Sequence, residues 1–305
     1  MNVGDVMRQA KENKRPLPSI SPDTTGILLI LVATISLSTE AIAAKIAYRE
    51  GANVITTLSM RYLIAAVVIW AVTILCRYPW RLDRRQWAPV TALSLGGHSL
   101  TVLFLFYAFH FIPAAMAILL LYVYPSVVTI LAYFYLKEPV TWRKLLALLC
   151  TMAGCVIILS QPVAGLDMRG VFFALAAAVI NAVYLVCCTR LISDIPVVVF
   201  SAYITGLTAV FFLLLGLGGD KIDLALSAGA WQAIIFLALV CTVLSVITLF
   251  QGVKRIGASR AAIISTFEPV STALLGMWLL QETLSGRQLL GGVLIIAGVM
   301  LQKRG

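Results

Sequence analysis

The sequence predicts an all-α polytopic membrane protein whose ten transmembrane helices form two inverted five-helix repeats. Three observations predict it. The 305 residues are 61% hydrophobic and only 12% charged, with a mean hydropathy of +0.99, whereas an ordinary soluble domain carries about 25% charged residues. Ten apolar runs approach the roughly 20 residues that a helix needs to cross a hydrocarbon core of about 30 Å. The chain also matches itself at a constant offset of 144 residues without a gap. A water-soluble globular domain and a disordered chain are both excluded, because so much apolar surface does not stay hydrated.

Residues 1–25 are a polar, turn-prone tail in which Arg8, Lys11, Lys14 and Arg15 precede Pro16, Pro18 and Pro22. The run that follows is long enough to span and lacks a small-residue cleavage pattern, so it is expected to be a first span and not a removed leader. The first repeat, 26–160, then holds spans near 26–47 with Glu40, 53–75 with Arg61, 87–108 with His98 and Tyr107, 113–136 with Tyr122, Tyr124 and Pro125, and 142–160. The second, 168–302, holds spans near 168–190 with Asn181 and Tyr184, 195–218, 229–252 with Gln251, 258–280 with Ser265, Glu268 and Pro269, and 285–302. Short connections leave no room for a soluble domain. Across the offset, Gly26 falls on Gly170, Trp87 on Trp231, Phe106 on Phe250, Pro125 on Pro269, Glu138 on Glu282 and Arg143 on Arg287. Shared Leu and Ala would arise by chance in so apolar a chain, but Trp, Pro, Glu and Arg matching at one offset mark a duplication.

Five spans per copy is odd, so the second copy enters the membrane with the opposite orientation. Charge tests this. With the N-terminus inside, 17 of the 23 Lys and Arg residues fall in cytoplasmic segments, 5 outside, and Arg61 within a span. By the positive-inside rule this bias places both termini in the cytoplasm. The net charge of +10, which in a soluble chain would suggest nucleic acid, is therefore an orientation signal, and no nucleic-acid partner is expected. The six cysteines lie in or beside apolar runs with no CxxC spacing and are expected to be small packing residues, with no metal site.

Two stretches close the halves in parallel fashion. YPSVVTILAYFYLKEPVTWRKLLALLCTMAGCVIIL ends the first and FEPVSTALLGMWLLQETLSGRQLLGGVLIIAGVML the second, while RYLIAA at Arg61 and Tyr62 opens the middle of the second span. On these motifs the chain resembles the EamA-type branch of the drug/metabolite transporter superfamily over residues 26–302. That resemblance implies secondary transport at the bacterial inner membrane, most often export, of amino acids or other small metabolites. It implies no single substrate, and an EP pair in the ninth helix recurs across the family, so Glu268 can belong to shared machinery as well as to substrate choice.

Pro125 and Pro269 occupy equivalent places about halfway along their spans, and each removes the backbone bond to the carbonyl four residues earlier, Leu121 or Ser265. A carbonyl freed in hydrocarbon must face a polar partner or a water-filled cavity. Tyr122, Tyr124, Ser265, Thr266 and Glu268 are thus candidates to line a substrate cavity, the alternative being a packing kink. Glu268 stands where the first repeat has Tyr124, and a carboxylate at that depth costs about 2.5–3.5 kcal/mol on insertion scales, so it either couples a proton or anchors its helix. Glu40 is the second costly group. At 1.5 Å per residue it lies about 10 Å below the outer end of its helix, and Arg61 about 12 Å below that of the antiparallel neighbour. The two could meet as a structural pair or a gate; if they did not, Glu40 would become the better proton or amine site.

Weaker signals are Asn181 and Tyr184, three apart on one helix face, the repeat mates Tyr107 and Gln251, and His98, each either cavity lining or a helix-to-helix hydrogen bond. His110 is expected on an outer loop in solvent. Glu138 and Glu282 at equivalent helix ends are expected to cap or pair locally, and Gly286, Gly291, Gly292 and Gly298 to allow close helix contact within the bundle or in a homodimer. Two distant His residues and the absence of HExxH, GxSxG or Walker A patterns oppose an enzyme, ATP hydrolysis and a bound cofactor, and no filter-like segment suggests a channel. What remains is a small-molecule carrier in a lipid bilayer working by alternating access, exporting amino acids or moving a vitamin-like or nucleotide-like solute that the tyrosines could stack against.

Overall fold

Apolar residues in lipid leave the backbone one economical way to satisfy its own polar groups, the helix, and no strand occurs among the described residues. The computed structural model describes residues 22–124, 126–128, 130–131, 142–159, 167–191, 195–219, 221–256, 264–265, 267–281 and 283–302. Pro125, Thr266, Glu138, Glu282 and the tail before residue 22 lie outside them. Thirteen helices and two π-helical segments are described: α1 (Pro22–Ser38), α2 (Glu40–Arg49), α3 (Val54–Leu75), α4 (Arg84–Ala92), π1 (Leu93–Ser99), α5 (Leu100–Phe111), α6 (Ala114–Leu121), α7 (Trp142–Leu159), α8 (Met168–Leu191), α9 (Val197–Gly218), α10 (Ala228–Ala238), π2 (Leu239–Leu244), α11 (Ser245–Ile256), α12 (Phe267–Leu279) and α13 (Gly286–Gln302). Among the described residues six stretches, Thr24–Arg49, Val54–Leu75, Arg84–Phe111, Met168–Cys188, Val197–Gly218 and Ala228–Ile256, are long and apolar enough to cross a membrane. The protein is therefore a multi-pass, all-helical membrane protein, and α6, α7, α12 and α13 are shorter apolar helices within the four other predicted runs.

Local chemistry sets the helix starts. Asn53 caps α3 by accepting the Thr56 N–H at 2.8 Å, Ser227 caps α10 by accepting that of Ala230 at 3.1 Å, and Pro113 and Pro196 stand immediately before α6 and α9. Gly51, with φ of 93°, makes the left-handed turn between α2 and α3. Three features depart from uniform spans. The first predicted span is interrupted at Thr39, leaving Glu40 in the first turn of α2. The third and eighth carry π1 and π2, which overlap when the chain is shifted by 144 residues. His110, expected on a loop, lies instead in the last turn of α5, with its ring edge-on to Tyr48 and Phe111.

Packing joins the halves. α11 lies against α1 and α5 against α8, while α3 packs on α9 and α7 on α13. Small residues permit the closest approaches: a side chain at Gly26 would run into Ile256, and one at Gly170 into Ile112. Each of these two contacts is the other moved by 144 residues with the halves exchanged. A Cβ on Gly154 would stand 2.6 Å from the Gly291 carbonyl oxygen, and one on Gly292 would stand 3.1 Å from Leu119. Gly291 and Gly292 thus serve contact within the bundle. Gly154→Leu is expected to overpack the α7–α13 seam, at about 1–3 kcal/mol, measured as a lower thermal unfolding temperature in detergent, while Gly286→Ala, which would meet nothing within 4 Å, leaves it unchanged.

Candidate functional site

Two polar clusters lie where the helices break, the first buried and the second partly buried. The first is built on Arg61, a guanidinium that stays charged in an apolar setting and so needs acceptors for its donors. Its Nη1 and Nη2 donate to the two Glu40 carboxylate oxygens at 3.1 Å each. Nε donates to Thr242 Oγ1 at 2.7 Å, and Nη2 also to the Cys241 carbonyl at 3.3 Å. The rings of Tyr62 and Phe106 stand 5.2 and 5.1 Å from the guanidinium carbon, close enough for cation–π attraction. The Arg61 and Glu40 side chains are 3% and 10% exposed. Of the two alternatives the sequence left open for Glu40 and Arg61, the paired one is found.

Each partner is delivered by a local irregularity. The interruption at Thr39 presents Glu40 at the start of α2, where a carboxylate also suits the helix N-terminus. In π2 the wider turn lets Thr242 Oγ1 donate to Leu237 O at 3.0 Å, five residues back, while it accepts from Arg61. Arg61 therefore ties α2 and α3 of the first half to π2 of the second. Positions 144 residues away hold a neutral counterpart: Tyr184 matches Glu40, Thr205 matches Arg61 and His98 matches Thr242. The Tyr184 and His98 rings are 5.7 Å apart, and His98 Nε2 lies 3.0 Å from the Tyr62 hydroxyl.

The second cluster joins the fourth and ninth predicted spans. α6 ends at Leu121 and the chain turns at Tyr122, while Glu268 and Pro269 stand in the first turn of α12, a position where proline is tolerated. The Ser265 carbonyl, deprived by Pro269 of a helical partner, accepts the Tyr122 hydroxyl, which also lies 3.1 Å from Glu268 Oε2. The polar partner that the proline requires is therefore supplied from the other half. Tyr124 lines the same place, its ring centroid 5.7 Å from that of Tyr122. Thr272 on α12 donates to Ser38 O at 3.2 Å, linking this region to the interruption of the first span. Tyr122→Phe is expected to strand the Ser265 carbonyl at about 1–3 kcal/mol, seen as a lowered unfolding midpoint that Tyr124→Phe does not reproduce.

The other candidates make no described hydrogen bond to either cluster. Tyr107 stacks on Phe173 at 5.2 Å between α5 and α8. Asn181 and Gln251 are half-buried on α8 and α11 and join neither cluster through a described contact. At the start of α8 the Arg169 guanidinium bonds Asp167 at 2.7 Å and holds its carboxyl below the usual carboxylate range. Thr242, Cys241 O and the Tyr62–His98 contact were not read as parts of a site from sequence. The available signal was polar residues at the mated positions His98 and Thr242, but nothing local marks a π turn.

No group of three or more His, Cys, Asp or Glu residues suited to a metal occurs among the described residues.

Comparison with known proteins agrees with this architecture. The model of the EamA-like transporter family matches twice, over residues 24–160 and 168–302. The uncharacterized transporter YcbK of Bacillus subtilis (strain 168) is 27% identical over 97% of this chain and 98% of its own. An uncharacterized transporter of Synechocystis sp. is 25% identical over 90% and 92%. A crystal structure with 22% identity superposes with a TM-score of 0.69 over 92% of this chain and 96% of that one, which shows a shared fold.

Proposed function

Since the chain belongs to the EamA-like transporter family and is accordingly a transporter and not an enzyme, we propose that it is a secondary carrier exporting amino acids or related small metabolites by alternating access. It sits in the bacterial inner membrane with both termini cytoplasmic, as its basic residues are distributed. Ten spans form two inverted repeats, 26–160 and 168–302. Support comes from the paired contacts Gly26–Ile256 and Gly170–Ile112, which exchange under the 144-residue offset, and from the overlapping π segments.

One observation carries the mechanism: the Tyr122 hydroxyl spans the two halves to reach both Ser265 O and Glu268. A phenol has one proton to donate. When it goes to the Ser265 carbonyl, the Glu268 contact is favourable with the carboxyl protonated and donating; when Glu268 is ionised, it competes with the carbonyl for that proton. Protonation of Glu268 thereby biases the junction between α6 and α12, and a carrier rocks where such a junction has two arrangements. The Glu40–Arg61 pair, already neutralised and bonded, holds its elements together and carries no coupling proton.

Proteoliposomes containing a pH-sensitive dye test this. Addition of an amino-acid mixture is expected to change lumenal pH with wild-type protein and not with Glu268→Gln. A wild-type response retained by that variant removes Glu268 from coupling.

A further inference from the structure

Resting on the reading of Glu268 as the coupling carboxylate, we infer that this carboxylate and the Tyr122–Tyr124 ring pair receive the ammonium group of the transported molecule, and that anionic solutes are refused. Among the buried described residues Arg61 is the one cation, and it is spent. Four of its five N–H donors go to Glu40, Thr242 and the Cys241 carbonyl, and its charge is matched by Glu40. Among the buried described residues a carboxylate or phosphate would meet no unmatched cation and would lose its hydration without compensation.

Glu268 is the reverse case. Its described hydrogen-bond partner is the Tyr122 hydroxyl on Oε2, and no cation pairs with it among the described residues. An ionised carboxylate so placed is completed by a proton or by a cation. The two tyrosine rings, 5.7 Å apart and inclined at 59°, supply the faces against which an ammonium rests. An amino acid would accordingly be held by its amine while its carboxylate goes unpaired, so an amine with no carboxylate binds as well. A nucleotide-like solute is disfavoured by the same charges.

Full-length protein in detergent, titrated calorimetrically at pH 7.5 with 2-phenylethylamine, L-phenylalanine and 3-phenylpropionate, tests this with one phenyl side chain and three charge states. The amine and the amino acid are expected to bind at least tenfold more tightly than the propionate. Glu268→Gln is expected to lose that preference and Glu268→Asp to keep it. Equal binding of amine and propionate, binding by none of the three, or a preference unchanged in Glu268→Gln overturns the inference. Trans-acceleration by proteoliposomes separates this from the carrier reading: trans-accelerated uptake with no ammonium preference defeats this inference alone, and absence of acceleration defeats the carrier itself.

Discussion

Arg61→Gln is expected to lower stability by about 3–5 kcal/mol. The guanidinium meets two Glu40 oxygens, Thr242 and the Cys241 carbonyl with 3% of its side chain exposed. Removing it leaves Glu40 as an uncompensated buried carboxylate and unties α2 and α3 from π2. Glu40→Gln is expected to cost less, because Arg61 keeps Thr242, the carbonyl and the two aromatic rings. The double variant, with both charges gone, is expected to be more stable than Arg61→Gln alone. Denaturant unfolding of the four proteins yields the coupling energy. A coupling within about 0.5 kcal/mol of zero would mean that the pair is not what joins these elements.

Glu268→Gln is expected to do the opposite: little harm to stability, at least a tenfold loss of coupled transport. The amide can donate to the Tyr122 hydroxyl as a protonated carboxyl does and is cheaper to bury than a charge, so the unfolding midpoint stays level or rises. What it cannot do is release a proton. Transport that persists should therefore lose its dependence on pH. Uptake and unfolding measured on the same preparations separate this from misfolding, and a variant with wild-type rate and wild-type pH dependence would exclude Glu268 from the cycle.

The 144-residue match carries weight because residues with demanding geometry recur. Gly26 and Gly170 sit where a neighbouring Ile leaves no room for a side chain, so their match records a contact and not composition. The Glu40–Arg61 pair was legible because helical rise converts residue number to depth. The need of the Ser265 carbonyl for a partner was legible because proline lacks an N–H. Its donor was not, since which half supplies the hydroxyl depends on how α6 meets α12. The interruption at Thr39 and the π turns were also hidden. Their sequences are acceptable in a regular helix, and tertiary bonds decide the outcome, among them Arg61 to Thr242 at 2.7 Å and Ser99 to Thr208 at 3.0 Å. Asn181 and Gln251 show the converse: polar residues at span depth attract attention from sequence, yet neither joins a cluster through a described contact.

The most direct test of a carrier whose halves move about the Tyr122–Ser265–Glu268 junction is counterflow. Proteoliposomes preloaded with an unlabelled amino-acid mixture and diluted into the same mixture carrying label should accumulate label transiently, faster than empty vesicles, because a loaded carrier returns more readily than an empty one. Uptake at the same rate with and without preloading would contradict alternating access.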